Sequence, residues 1–412
     1  MNLNGIVSIS LILISFIIII GFLSNYQFKR TGFPGILLLI LLGFLFGPIT
    51  KVIKLEDIAS LTPYLTDLAM IFILFDGGLV MNLKISLRET PRAMLITVIH
   101  LVLCTVAVMF FMMGIGIEPL YGALFGIMIS GNSAAVLIPI VRSIKVSEET
   151  VSLITLESTL NNVFQAVSFL AIIELITVGQ LDFLAAAKDI AASFSIGGVI
   201  GIIFGFFWLH ILLKLKRESF SSMLTIAVVF IAYYTTAYLG GSGALCALLF
   251  GIVLGNEKSI FRIINKDVKE MVFNQYMRHF ESELAFLIRT FFFVYIGLSI
   301  NITSTIAIGY GAILSIILLA MRAIATYFST IRSPLESERN IITVAMSRGL
   351  SEAVLSVIFL NYGLPHATLF QNIAFIVIIL TNIMCTIGIY KFTHKKQHET
   401  VKEEKIGTFS FY

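Results

Sequence analysis

Residues 127–170 read IMISGNSAAVLIPIVRSIKVSEETVSLITLESTLNNVFQAVSFL, two apolar runs joined by a short basic turn. Each run carries polar residues where a membrane span is otherwise apolar. The first has Ser130, Gly131, Asn132 and Ser133; the second has Glu157, Ser158, Thr159, Asn161 and Asn162. Polar and ionisable groups at bilayer depth are costly, and are kept where a bundle interior, a water-filled cavity or an ion uses them. The hairpin therefore reads as two membrane helices that contribute half of an ion site.

Composition supports the same reading for the whole chain. Hydrophobic residues make up 58% of the 412 and charged residues 13%, with a mean hydropathy of +0.98. A soluble domain carries about 25% charged residues, so the expected fold class is an all-α polytopic membrane protein. The formal charge of +4 is small for this length and points to no nucleic-acid partner. Cys104, Cys246 and Cys385 lie singly in apolar runs, without the spacing of a zinc, haem or redox motif, and the six histidines form no ligand pattern. No cofactor is expected. The opening MNLNGIVSIS lacks a basic n-region and an A-x-A cleavage site, and reads as the start of a first membrane helix.

A span takes roughly 20 apolar residues. Cutting the chain at its charged and Gly/Pro breaks gives about thirteen spans, near 5–24, 33–50, 61–81, 93–114, 119–141, 150–178, 186–213, 219–239, 242–256, 281–300, 304–328, 338–362 and 367–391. The ninth is short, and a count of twelve is also compatible. Assigning alternate loops to one side collects 22 of the 28 Lys and Arg there. By the positive-inside rule that side is cytoplasmic, which puts the N-terminus outside and the C-terminus in the cytoplasm of a cell-membrane protein. Residues 257–280 mix charge with apolar residues at near-helical spacing, and read as an amphipathic cytoplasmic helix joining the two halves. Residues 394–412 read as a short cytoplasmic tail after a transmembrane domain of 1–393.

Three constellations carry the chemistry. A helix broken at Gly131 would free backbone groups to face an ion, as in many secondary transporters; equally, Ser130 to Ala134 is a small-xxx-small packing groove. In the next span Ser158 and Asn162 share one helix face, and Glu157 and Asn161 the adjacent one. Two adjacent Asn plus Glu and Ser is denser than interhelical glue needs. The third is SRGLSEAVL, with Arg348, Gly349, Ser351 and Glu352. A buried Arg must be paired; Glu352 lies one turn on, while Glu157 is the partner that ties the two halves together, and Arg322 is a second candidate to pair with Glu157. The two Gly breaks fall at corresponding places of the halves. They predict an inverted repeat whose interrupted spans, five and twelve, cross near Gly131 and Gly349. Asp76 in LFDGGLV either faces a cavity or lies at the cytoplasmic boundary. Arg289 reads as structural.

At these residues the chain resembles the monovalent cation:proton antiporter superfamily, and the NhaP-type sodium/proton antiporters in particular. FPGILLLILLGFLFGP, LFDGGL, SGNSAAVLIPIVRS, ESTLNN, FFFVYIGL and SRGLSEAVL carry the resemblance, in order, over nearly the whole chain. It implies a thirteen-helix inverted repeat and a homodimer. It also implies a mobile core of about 93–178 and 304–391 sliding in elevator fashion past a dimerising scaffold of about 5–81 and 186–300. Two departures fall at the chemistry. NhaP-type proteins usually have Thr-Asp-Pro where this chain has Gly131-Asn132-Ser133, and Glu-Ser-x-x-Asn-Asp where it has Glu157 to Asn162. Both family aspartates are Asn here, and an amide ligates through its oxygen without titrating near neutral pH.

The expected function is exchange of a monovalent cation, Na+ or K+, for protons. Oxygens of Asn132, Ser133, Ser158, Asn161 and Asn162 would hold the ion, as hard cations prefer, with Glu157 and Arg348 as a charge pair. The proton-carrier candidates are Glu352, Glu157 and Asp76; a carboxylate committed to an arginine is a poor carrier at neutral pH, which favours Glu352. The alternative is an uncoupled uniporter or a transport-inactive regulator, since both aspartates are missing. Enzyme motifs such as Gly-x-Ser-x-Gly or His-Glu-x-x-His do not occur.

Overall fold

A computed structural model describes residues 3–31, 35–53, 58–81, 90–144, 146–178, 183–215, 220–263, 275–300 and 305–408. The described α-helices are α1 (Leu3–Thr31), α2 (Gly35–Phe44), α3 (Thr62–Val80), α4 (Thr90–Gly114), α5 (Pro119–Met128), α6 (Ala134–Ser143), α7 (Glu148–Val178) and α8 (Phe183–Lys214). They continue with α9 (Ser221–Tyr238), α10 (Gly243–Gly255), α11 (Glu257–Ile263), α12 (Gln275–Ser299), α13 (Thr305–Thr330), α14 (Arg339–Val344), α15 (Leu350–Asn361) and α16 (Ala367–Thr408). Seven stretches among the described residues are long and apolar enough to cross a membrane, within α4, α7, α8, α9, α12, α13 and α16. Large apolar side chains such as Phe22, Phe110, Phe207 and Ile316 are exposed, which suits lipid rather than water.

The ninth span is short, as expected: α10 has 13 residues and ends at Gly255. Helix α16 continues past the expected end of the last span, as far as Thr408 in the polar tail. Of the expected amphipathic helix, Glu257–Ile263 is helical and α12 starts at Gln275, while residues 264–274 lie outside the described residues.

The two spans expected to be interrupted are interrupted. Helix α5 stops at Met128 and α6 starts at Ala134; α14 stops at Val344 and α15 starts at Leu350. The breaks meet, with Ser133 N donating to Ser347 O at 2.6 Å. Irregular backbone survives at membrane depth only where its freed groups find partners in the protein or in a water-filled cavity, and here side chains supply them. Arg348 Nε donates to Ile129 O at 3.0 Å, Gln165 Nε2 to Met128 O at 2.6 Å and Asn382 Nδ2 to Arg348 O at 2.7 Å, while Gly349 N donates to Glu352 Oε2 at 2.6 Å.

Around the crossing, α7 packs on α4, α5 and α6, and α16 on α13 and α15, within one apolar core. A smaller core gathers Phe75 of α3, Trp208 of α8 and Phe250 of α10. In that second group the backbones approach through small residues, as closely packed membrane helices do. A Cβ on Gly251 would collide with Phe75 O, and one on Gly255 with Leu79 O. Gly251→Ala is therefore expected to cost about 1–3 kcal/mol by forcing α3 and α10 apart; an unchanged melting temperature in detergent would contradict this contact.

Candidate functional site

Glu157 is the centre of the buried polar layer. It lies on α7, and its carboxylate meets Arg322 of α13, 165 residues away, in a two-pronged pair: Nη1 to Oε1 at 2.8 Å and Nη2 to Oε2 at 3.1 Å. Both side chains are fully buried. Asn132 Nδ2 donates to both Glu157 oxygens, at 3.0 and 3.1 Å, and Asn161 Nδ2 donates to Oε1 at 3.2 Å. The sequence offered Arg348 and Arg322 as partners, and the pair with Arg348 does not form. Arg348 instead turns to Ile129 O, at the carbonyl end of the half-helix α5, and gives Nη1 to Asn132 Oδ1 at 3.3 Å. The geometric reason is that Asn132 stands between the two: its amide donates to Glu157 on one side and accepts from Arg348 on the other. Glu352, the alternative partner for Arg348, accepts from Gly349 N instead.

The five expected ion ligands separate into two sets. Ser133 and Asn162 line a cavity of about 300 Å³, together with Thr159 and Ser351. Asn132, Ser158 and Asn161 are in the buried layer behind, where Ser158 Oγ donates to Thr155 O at 3.2 Å and Asn161 Nδ2 also reaches His100 Nδ1 at 3.4 Å. Asn162 Oδ1 accepts from Ser351 Oγ at 3.0 Å, which links α7 to the start of α15. Asp76 is in the cavity wall, and Arg289 lines the same space. Toward the opposite ends of α3 and α7 a second cavity of about 370 Å³ is lined by Asp67, Glu174, Tyr233 and Asn361, with Tyr234 Oη donating to Asp67 at 3.0 Å.

Four polar residues that hold the site were not among the expected ones. Gln165 follows Asn161 by one helical turn, so a search for polar residues along that face of α7 finds it. Asn382 bonds Ser347 Oγ and Arg348 O, and Thr381 accepts from Arg348 N at 3.3 Å; the pair is the Thr-Asn step inside the last apolar run. Glu338 accepts from Ser147 N at 3.1 Å and Ser147 Oγ at 2.8 Å, at the entrance to α7. No local pattern announces that last contact.

Two cavities toward opposite ends of α3 and α7, and a crossing of broken helices lined with polar groups, form the kind of arrangement by which secondary transporters bind ions at mid-bilayer. The same fold is found in the sodium proton antiporter MjNhaP1 from Methanocaldococcus jannaschii solved at pH 8, with a TM-score of 0.77 and 19% identity over 92% of this chain and 99% of that one. In sequence the chain is 26% identical to the probable Na(+)/H(+) antiporter 2 of the same organism, over 84% of this chain and 83% of the relative. It is 23% identical to the K(+)/H(+) antiporter NhaP of Alkalimonas amylolytica, over 91% of this chain and 64% of that protein. Residues 12–392 match the family described as sodium/hydrogen exchanger, transmembrane, and the chain belongs to that family of membrane antiporters, which are transporters and not enzymes.

Proposed function

We propose that this chain exchanges Na+ or K+ for protons across a cell membrane. The observation that carries the reading is the cavity of about 300 Å³ that reaches Ser133 and Asn162 at the crossing of the broken spans, with Asp76 in its wall. Hydroxyl and amide oxygens suit a hard monovalent cation; Ser133 and Asn162 are the groups an entering ion meets, with Asn132, Ser158 and Asn161 in the layer behind. Glu157 has its oxygens engaged by Arg322, Asn132 and Asn161, so the travelling proton belongs on Glu352 or Asp76. The loop charges support an outside N-terminus and a cytoplasmic C-terminus. The family resemblance supports about thirteen spans in an inverted repeat, a homodimer, and elevator motion of about 93–178 and 304–391 against about 5–81 and 186–300.

One observation favours an uncoupled uniporter or an inert relative instead. Asn162, in the cavity wall, cannot titrate near neutral pH. Purified protein in liposomes decides between them. With the membrane potential clamped, added Na+ or K+ is expected to dissipate an imposed pH gradient; cation flux without proton movement establishes the uniporter, and no flux of either the inert form.

A further inference from the structure

Behind the first break, Glu352 Oε1 and Gln165 Oε1 converge on Gly131, neither with a hydrogen-bond partner that meets ordinary geometry among the described residues. Glu352, fully buried in the first turn of α15, uses Oε2 to accept from Gly349 N at 2.6 Å, and its Oε1 has no partner among the described residues. Gln165, fully buried on α7, donates Nε2 to Met128 O at 2.6 Å. A backbone carbonyl can only accept, so that bond fixes which end of the amide is which; Gln165 Oε1 is likewise left without a partner among the described residues. Both oxygens crowd the place where a Cβ on Gly131 would sit, and such a Cβ would collide with both. An ionised carboxylate has lone pairs only, as does an amide oxygen. Two such atoms enclosed together repel, and a single proton between them turns the repulsion into a hydrogen bond.

Of the charged groups on the surrounding elements, Arg348 is the one whose charge acts on Glu352. Arg348, on the segment that leads into α15, gives Nε to Ile129 O and Nη1 to Asn132 Oδ1, while its buried Nη2 has no partner among the described residues; no direct hydrogen bond joins it to Glu352. On α7, Glu157 is committed to Arg322 of α13, and Glu174 lines the second cavity together with Asp67 of α3. Asp76 of α3 and Arg289 of α12 face the cation cavity, whose lining includes Ser351 but not Glu352. Helix α5 carries no charged residue, nor does α16 before Lys391. The amino end of α15 favours a negative Glu352, but that end is served by Oε2; Oε1 meets an acceptor.

We propose that Glu352 and Gln165 form a proton site of their own, in which a neutral Glu352 carboxyl donates from Oε1 to Gln165 Oε1, outside the cation cavity. This rests on the antiport reading only for its role: the proton stored here is the one exchanged, and cation and proton occupy different groups.

Infrared spectroscopy of the full-length protein tests the site without transport. The wild type at neutral pH is expected to show the C=O stretch of a protonated carboxyl group, and Glu352→Gln to lose it while melting close to wild type, because the amide donates to Gln165 and accepts from Gly349 as the acid does. A spectrum without that band, or one unchanged in Glu352→Gln, overturns the proposal, as an ionised Glu352 bridged to Arg348 by water would give. Should Glu352→Gln fail to fold, Gln165→Met removes the acceptor instead, and the band is expected to move to higher frequency; an unmoved band overturns the pairing. In liposomes Glu352→Gln is expected to abolish proton movement while cation flux persists; proton exchange at the wild-type rate overturns the role. If the wild type moves no protons, the antiport reading fails, and the infrared band still decides the site.

Discussion

Glu157→Gln is expected to lower the melting temperature of the purified protein more than the double change Glu157→Gln with Arg322→Gln. The pair is fully buried and two-pronged. Breaking one side of such a pair leaves an uncompensated charge in a medium that solvates it poorly, at a cost of about 3–5 kcal/mol, whereas removing both charges together costs less. Asn132 and Asn161 add to the effect of the single change, since each points an amide nitrogen at Glu157. Thermal unfolding in detergent, followed for the wild type and the three variants that complete the cycle, gives the coupling. Additive losses would mean that the pair contributes no mutual stabilisation.

The second large effect concerns the two asparagines, which stand in different surroundings. Asn162 lines the cavity, where water can reach it. Asn162→Asp therefore places a titrating carboxylate on the ion's path, and the cation KM is expected to rise about tenfold for each unit of pH below that carboxyl's pKa, because proton and cation then compete for one group. Asn132 is fully buried, with its amide nitrogen on Glu157 and its oxygen on Arg348. Asn132→Asp is expected to leave the pH dependence of KM as in the wild type. Uptake of labelled cation into proteoliposomes across a pH series reads both. A flat KM in Asn162→Asp would remove the cavity from the transport path.

Local composition carried much of the architecture. The apolar runs and the glycines at 131 and 349 located the broken spans, because a polar residue inside an apolar run has few physical excuses. The density of polar residues from Glu157 to Asn162 likewise marked the buried layer. What stayed hidden was pairing over distance. Nothing local to Glu157 says that Arg322, rather than Arg348, meets it, since the choice depends on how α7, α13 and the break at Asn132 come together. Single polar residues such as Gln165 and Asn382 were hidden for another reason. In sequence they look like ordinary interhelical glue, and only the free carbonyls of the breaks give them a task. The continuation of α16 beyond the bilayer-length run is not announced by hydropathy.

The bond from Ser133 N to Ser347 O joins main chain to main chain. Ordinary point substitutions keep both of its atoms, proline at 133 excepted. Exchange of Asn132 for aspartate thus leaves this bond in place, whereas the proline that NhaP-type proteins usually carry at 133 has no N–H to give it. Loss or gain of a single residue between Met128 and Ala134 is a different matter: it would slide one side of the join past the other and bring every side chain after it out of step with the opposite half. Apart from position 133, the join is constrained in length rather than in side-chain chemistry.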